Sequence, residues 1–234
     1  MAKNEDTMTV KKITKRKSKL KKIKLSLCII LVLLILLYVI LTIIYKEGRF
    51  TISLDKNLRL NKGIVLFDNS QTKEFKDELV ADQMQFMDNI SIKWIPENIN
   101  NEAEGSHNGD NYIAYTFYIQ NNGDASVNYW YETLIDDVVK DVDEAVRVMI
   151  FLNDNRTVYA KLNSVTGKPE EDTKPFYSQE CVMLEERKDF KPGDTDKFTI
   201  VVWLEGDDPD CVNALLGGEI KMHMDIKEEH IEVK

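Results

Sequence analysis

Four carboxylates, Glu205, Asp207, Asp208 and Asp210, crowd six positions around Pro209. Hard oxygen ligands at that density suit a calcium ion, although their spacing matches no EF-hand loop. The plainer alternative is a solvated acidic turn stiffened by proline. We expect a weak calcium or cationic-partner site here and not a catalytic one. Cys181 and Cys211 are the two cysteines beyond the apolar N-terminal run, and an exported compartment permits a bridge between them. Closing that loop of roughly 30 residues would stabilise the fold by about 3.5 kcal/mol on the chain-entropy model. A disulfide is the expectation, with two separate thiols as the alternative.

Met222, His223 and Met224 offer thioether and imidazole groups that suit copper. Strand alternation argues otherwise: Ile220, Met222, Met224 and Ile226 share one face, while Lys221, His223 and Asp225 share the other. The methionines therefore read as core and the histidine as exposed. There is no H-E-x-x-H, no G-x-S-x-G and no phosphate-binding glycine loop. General-base chemistry would have to draw on His107, His223 and His230, the only three histidines. No enzyme is expected, and no cofactor beyond calcium.

The elements that must position these residues are mostly strands. Residues 50 to 54 alternate apolar and polar, and residues 63 to 67, 112 to 119, 127 to 135, 147 to 152 and 157 to 162 carry aromatic and β-branched runs. The spacing of Ile90, Ile92 and Trp94 predicts another strand, closed by Pro96. Residues 97 to 110 read as a loop. Asn121, Asn122 and Gly123 bring turn chemistry, and residues 153 to 156 mark a hairpin. Residues 181 to 184, 198 to 204 and 220 to 226 repeat the theme. Helical spacing of Phe75, Leu79, Val80, Met84 and Met87 predicts a short helix within 70 to 88, and residues 138 to 146 are compatible with a further turn. The fold class expected is mainly β: an antiparallel β-sandwich, jelly-roll or immunoglobulin-like, with one or two short helices.

The first 45 residues cannot join that core. Residues 25 to 45 form an uncharged run dominated by Leu, Ile and Val, and a helix of that length reaches about 31 Å, enough for a bilayer core of about 30 Å. Tyr38 and Tyr45 suit its far half and end. Lys11, Lys12, Lys15, Arg16, Lys17, Lys19, Lys21, Lys22 and Lys24 precede the run, against Lys46 and Arg49 after it, so the N-terminus is expected in the cytoplasm. No small-residue cleavage site follows, which favours an anchor over a cleaved signal peptide. The expected organisation is a basic cytoplasmic tail at 1–24, a single-pass transmembrane helix at 25–45 and an extracytoplasmic sandwich at 46–234, with almost no stalk. Residues 1 to 24 carry +8 of a total of -9, leaving -17 on the remainder. Such a domain repels nucleic acid and anionic lipid and favours cationic partners or divalent ions.

Phe190, Lys191, Pro192, Gly193 and Asp194 before one strand, with Asn121, Asn122, Gly123 and Asp124 after another, resemble turns in camelysin-like surface and biofilm-matrix proteins of Gram-positive bacteria. That resemblance implies an exported β-sandwich. The chain departs from the family in the order of the two turns, in lacking a cleavage site and in lacking a zinc-protease motif. The segment from Trp203 to Cys211, followed by Gly217 and Gly218, is similar to a stretch in membrane-anchored proteins of the same bacteria. The expected function is a structural or protein-interaction module of the cell envelope or matrix, with another envelope protein as partner and no small-molecule substrate. The alternatives are a sensory or accessory subunit of a membrane complex and a cleaved, secreted matrix protein.

Overall fold

The computed structural model describes residues 3–44, 49–55 and 63–228, in two compact units divided between Glu47 and Gly48. In the first, a single helix α1, Lys3–Ile44, carries the stretch Lys21–Ile40, long and apolar enough to cross a membrane. The apolar side chains from Ile23 to Ile40 are exposed. The helix does not stop at residue 24; the basic residues before the apolar run continue it. Tyr45 and Lys46 lie outside the described residues.

The second unit is a β-sandwich. Its strands are β1 (Thr51–Leu54), β2 (Ile64–Phe67), β3 (Glu78–Val80), β4 (Gly105–Ser106), β5 (Tyr112–Asn121), β6 (Val127–Val139), β7 (Val146–Leu152), β8 (Asn155–Ala160), β9 (Lys174–Pro175), β10 (Cys181–Phe190), β11 (Thr195–Leu204) and β12 (Glu219–Glu228). One sheet runs β10-β6-β12-β1-β3; the other runs β2-β5-β11-β7-β8-β9, with β4 on β5. Most neighbours are antiparallel, but β1 lies parallel to β12, Thr51 opposite His223, and β8 parallel to β9. Parallel neighbours need a long connection, and nearly the whole domain separates β1 from β12.

Between the sheets lies the main core. Phe117 and Phe198 stack with centroids 5.2 Å apart, and Tyr131 meets Phe198 edge-on at 5.1 Å. Met222, Met224 and Ile226 are buried while His223 stays on the opposite face, paired with Asp136. Strand β7 is buried on both faces. A second apolar cluster explains why: Ile90, Ile95 and Ile99 lie across the outer face of the larger sheet on Met149, Phe151, Val201 and Trp203. A strand covered on both sides reads as a near-continuous apolar run, which is the pattern of residues 146 to 152 apart from Arg147.

Two expected elements differ. Residues 70 to 88 form no helix; Leu79 is buried in β3 opposite Ile52, while Phe75 and Val80 stay exposed. The short β1 has β12 on one side, and β3 satisfies the hydrogen-bonding groups of its other edge. Residues 90 to 95 form a 3-10 turn at Ile92–Trp94 instead of a strand. Burial there falls on Ile90, Ile95 and Ile99, a spacing that suits a strap crossing a sheet and not the two-residue period of a strand. The turn within residues 138 to 146 is present as a 3-10 turn, Val142–Glu144. The hairpin between β7 and β8 turns at Asn153 and Asp154, with Asn153 at φ 55°, the left-handed conformation that such turns require.

The two turn motifs near residues 121 and 190 touch each other. Asn121 donates through Nδ2 to the carbonyls of Phe190 and Ala125, and its own carbonyl accepts from Gly193 N–H. Asn121 is buried, and this network fastens the β5–β6 turn to the β10–β11 turn.

Strand register also fixes what shares the other end of the sandwich. Glu219 pairs with Val139, Leu204 with Val146, Ala160 with Arg147 and Tyr112 with Trp203. The starts of β5, β7 and β12 therefore gather with the ends of β6, β8 and β11. β1 and β10 also begin toward this end, since both run alongside β12 or opposite β6 in that direction.

Candidate functional site

The acidic loop leaves β11 at this end. Glu205 is buried and fully engaged: Trp203 Nε1 donates to Oε2 at 2.9 Å, Ile92 N–H to the same oxygen at 3.1 Å, and Asp207 N–H to Oε1 at 3.1 Å. It ties the strap to the larger sheet. Asp207 accepts from the Ser91 hydroxyl at 2.7 Å. Asp208 is buried, accepts from Asp210 N–H through Oδ1 and forms an ion pair through Oδ2 with Arg147, itself buried in β7. Asp210 receives both the backbone N–H and the hydroxyl of Ser164, at 2.8 and 2.5 Å. Those donors hold its carboxyl below the usual carboxylate range.

Asp208 and Asp210 do come together, but their third neighbour is Glu170, not Glu205 or Asp207. Carboxylate oxygens of Glu170, Asp208 and Asp210 lie within 4.8 Å of one another. Glu170 Oε1 is buried and has no hydrogen-bond partner. Of the three carboxylates, Asp208 is the one that pairs with Arg147. Glu170 carries no signal in the sequence. Arg147 does: a lone arginine inside the apolar run of β7 needs a buried carboxylate.

The expected disulfide is corrected. Cys181 and Cys211 are free thiols with separate partners. Cys181 opens β10 in the smaller sheet and donates to the carbonyl of Met183 at 3.2 Å, whereas Cys211 follows β11 of the larger sheet and accepts from Asn89 Nδ2 at 3.6 Å. Burial raises both thiols above the ordinary range, and neighbouring carboxylates, Glu132 for Cys181 and Asp208 for Cys211, act in the same direction. Neither sulfur is prepared as a thiolate.

Beside the loop, a polar cleft of about 690 Å³ opens between the end of β6, the 3-10 turn after it and the segment before β10. Asp136, Asp137, Asp141, Asp143, Glu144 and Glu180 line it, with Lys161 as the cation among the lining residues. Lys161 contacts Asp143 at 2.5 Å and Glu144 at 2.8 Å. Burial works against its charge, but the two carboxylates outweigh it and hold the ammonium above its ordinary range. A register shift between Lys221 and Met222 leaves Asp136 unpaired in the ladder, the bulge that brings its carboxylate to His223 Nδ1 at 2.8 Å.

Apolar residues stand exposed around the same end. Val139 closes β6, Val165 lies in the loop after β8, Tyr177 precedes β10, and Val212 and Leu216 lie between the acidic loop and β12; all five are exposed, Leu216 at 70%. Exposed apolar side chains and carboxylates thus share this end of the sandwich. No protein-family model matches the chain, and no curated protein matches it.

Proposed function

We propose that this chain is a single-pass membrane protein, N-terminus in the cytoplasm, whose extracytoplasmic sandwich is an interaction module for another envelope or matrix protein. The observation that carries this reading is the set of exposed apolar residues interleaved with carboxylates at one end of the sandwich. The partner is met at this end of the sandwich. Its surface is basic, since a cationic face would relieve the repulsion among Asp136, Asp137 and Asp141. A distant kinship with the camelysin-like matrix proteins belongs to the same proposal, supported by the two turn motifs that Asn121 joins.

Photoreactive residues at Tyr177 and Leu216, compared with one at Asp124 in the β5–β6 turn, test the reading in intact cells. Tyr177 and Leu216 should cross-link to a common partner, Asp124 should not, and neutralising Asp136, Asp137 and Asp141 to asparagine should abolish the product. Cross-links of equal yield from both ends, or none from Tyr177 and Leu216, overturn it.

Calcium is the second reading, favoured by the buried, unpartnered oxygen of Glu170 beside Asp208 and Asp210. An extracellular-type site with a dissociation constant near 1 mM gains about 1.4 kcal/mol at about 10 mM ion, a rise of roughly 3 to 6 °C in the melting midpoint. Glu170→Gln should keep the fold and lose the gain. Identical melting of the wild type in calcium and in chelator removes the ion from the account.

A further inference from the structure

Lys19, Lys21, Lys22 and Lys24 are exposed on α1 immediately before the apolar run that starts at Leu25. At about 1.5 Å per residue they all lie within roughly 9 Å of its start, about one Debye length at physiological ionic strength. All four therefore feel a charged surface at the boundary whatever the tilt of the helix. No Asp or Glu occurs between Asp6 and Glu47, so the helix carries no carboxylate three or four residues away to neutralise them.

Their arrangement distinguishes between kinds of partner. At about 100° per residue, Lys19 and Lys22 fall on one face and Lys21 and Lys24 on the roughly opposite face. Each pair is spaced i, i+3, so its two ammonium groups repel each other unless an anion stands between them. A docked protein covers one face of a helix, whereas lipid surrounds it. Two pairs on opposite sides fit a ligand that arrives from all directions in the plane of the bilayer.

We propose that Lys19, Lys21, Lys22 and Lys24 form a collar that binds anionic phospholipid headgroups, one phosphodiester between each pair. This rests on the reading of α1 as membrane-spanning and goes beyond the role of such cations in setting orientation. The ammonium groups hold the phosphate by charge and hydrogen bonds. The basic residues upstream, from Lys11 to Lys17 in sequence, add to the attraction without being needed for the pairs.

The test uses the full chain in phosphatidylcholine vesicles doped with spin-labelled phosphatidylglycerol or spin-labelled phosphatidylcholine. Symmetric vesicles make the outcome independent of which way the chain inserts. The motionally restricted lipid around the protein should show about fivefold preference for phosphatidylglycerol. The fourfold variant Lys19→Gln, Lys21→Gln, Lys22→Gln and Lys24→Gln should lower the preference below about twofold, leaving only the upstream contribution, and the matching fourfold Lys→Arg variant should retain it. Equal association of both lipids with the wild type overturns the collar while leaving the anchor standing. Protein that fails to float with the vesicles overturns both.

Discussion

Asp208→Ala lowers the stability of the sandwich by about 3–5 kcal/mol, because it leaves the Arg147 guanidinium charged, buried and without its partner. The two side chains are 1% and 4% exposed, so water cannot replace what is lost. Asp208→Ala also removes the acceptor of Asp210 N–H, and the loop that carries Glu205 and Asp210 loses its anchor on β7. In a domain of this size the midpoint should fall by roughly 6–20 °C. Arg147→Ala should cost a similar amount, for the mirror reason that Asp208 is then the orphan. The double variant Arg147→Met with Asp208→Leu should recover much of the loss, since an apolar pair of similar volume replaces a desolvated ion pair at little cost. A double-mutant cycle by denaturant unfolding measures this. Single variants that each cost less than about 1 kcal/mol would show the pair to be hydrated and irrelevant to the loop.

That ion pair also shows where the sequence is legible and where it stops. Arg147 in an apolar run announces that a carboxylate must meet it, yet four acidic residues in the 205–210 loop are equally eligible by type. Only folding separates Asp208, turned inward, from Asp207, held by Ser91 at the surface. The alternation around Met222, Met224 and Ile226 was sufficient to assign their faces, because a two-residue period maps directly onto a half-buried strand. The same logic failed at Ile90, Ile92 and Trp94. A strap that crosses a sheet buries residues where it meets the ridges beneath, and that spacing belongs to the sheet and not to the strap. Phe75, Val80 and Met84 failed for a related reason: helical spacing over a short stretch says nothing about whether an unpaired sheet edge lies nearby. The pairing of β1 with β12 joins the two extremes of the domain, and no local pattern records it. Cys181 and Cys211 were matched on compartment and number, while geometry gave each thiol its own neighbour. Glu170 reached the site from a polar loop with no distinguishing context at all.

Trp203→Ala should cost about 3–5 kcal/mol, the range for deleting a large aromatic from a packed core. Trp203 is fully buried, yet its ring does not lie in the core between the sheets. It faces outward into the second cluster with Ile90, Ile95 and Ile99, so the variant tests whether the strap is an integral layer or a loosely attached loop. An attached loop would open locally at little cost and leave the global midpoint unchanged. Trp203→Phe separates the two contributions of the side chain: it keeps most of the apolar volume but removes the Nε1–H that meets Glu205 Oε2 at 2.9 Å. Glu205 would still hold the N–H groups of Ile92 and Asp207, so the lost bond to a charged acceptor should cost only about 1.5–3 kcal/mol. Glu205→Gln should be about as costly as Trp203→Phe, since the amide can accept from only one of the oxygen positions that now serve three donors. If Trp203→Ala unfolds at the wild-type midpoint while hydrogen exchange rises only in residues 90 to 99, the strap is separable and the acidic loop does not depend on it.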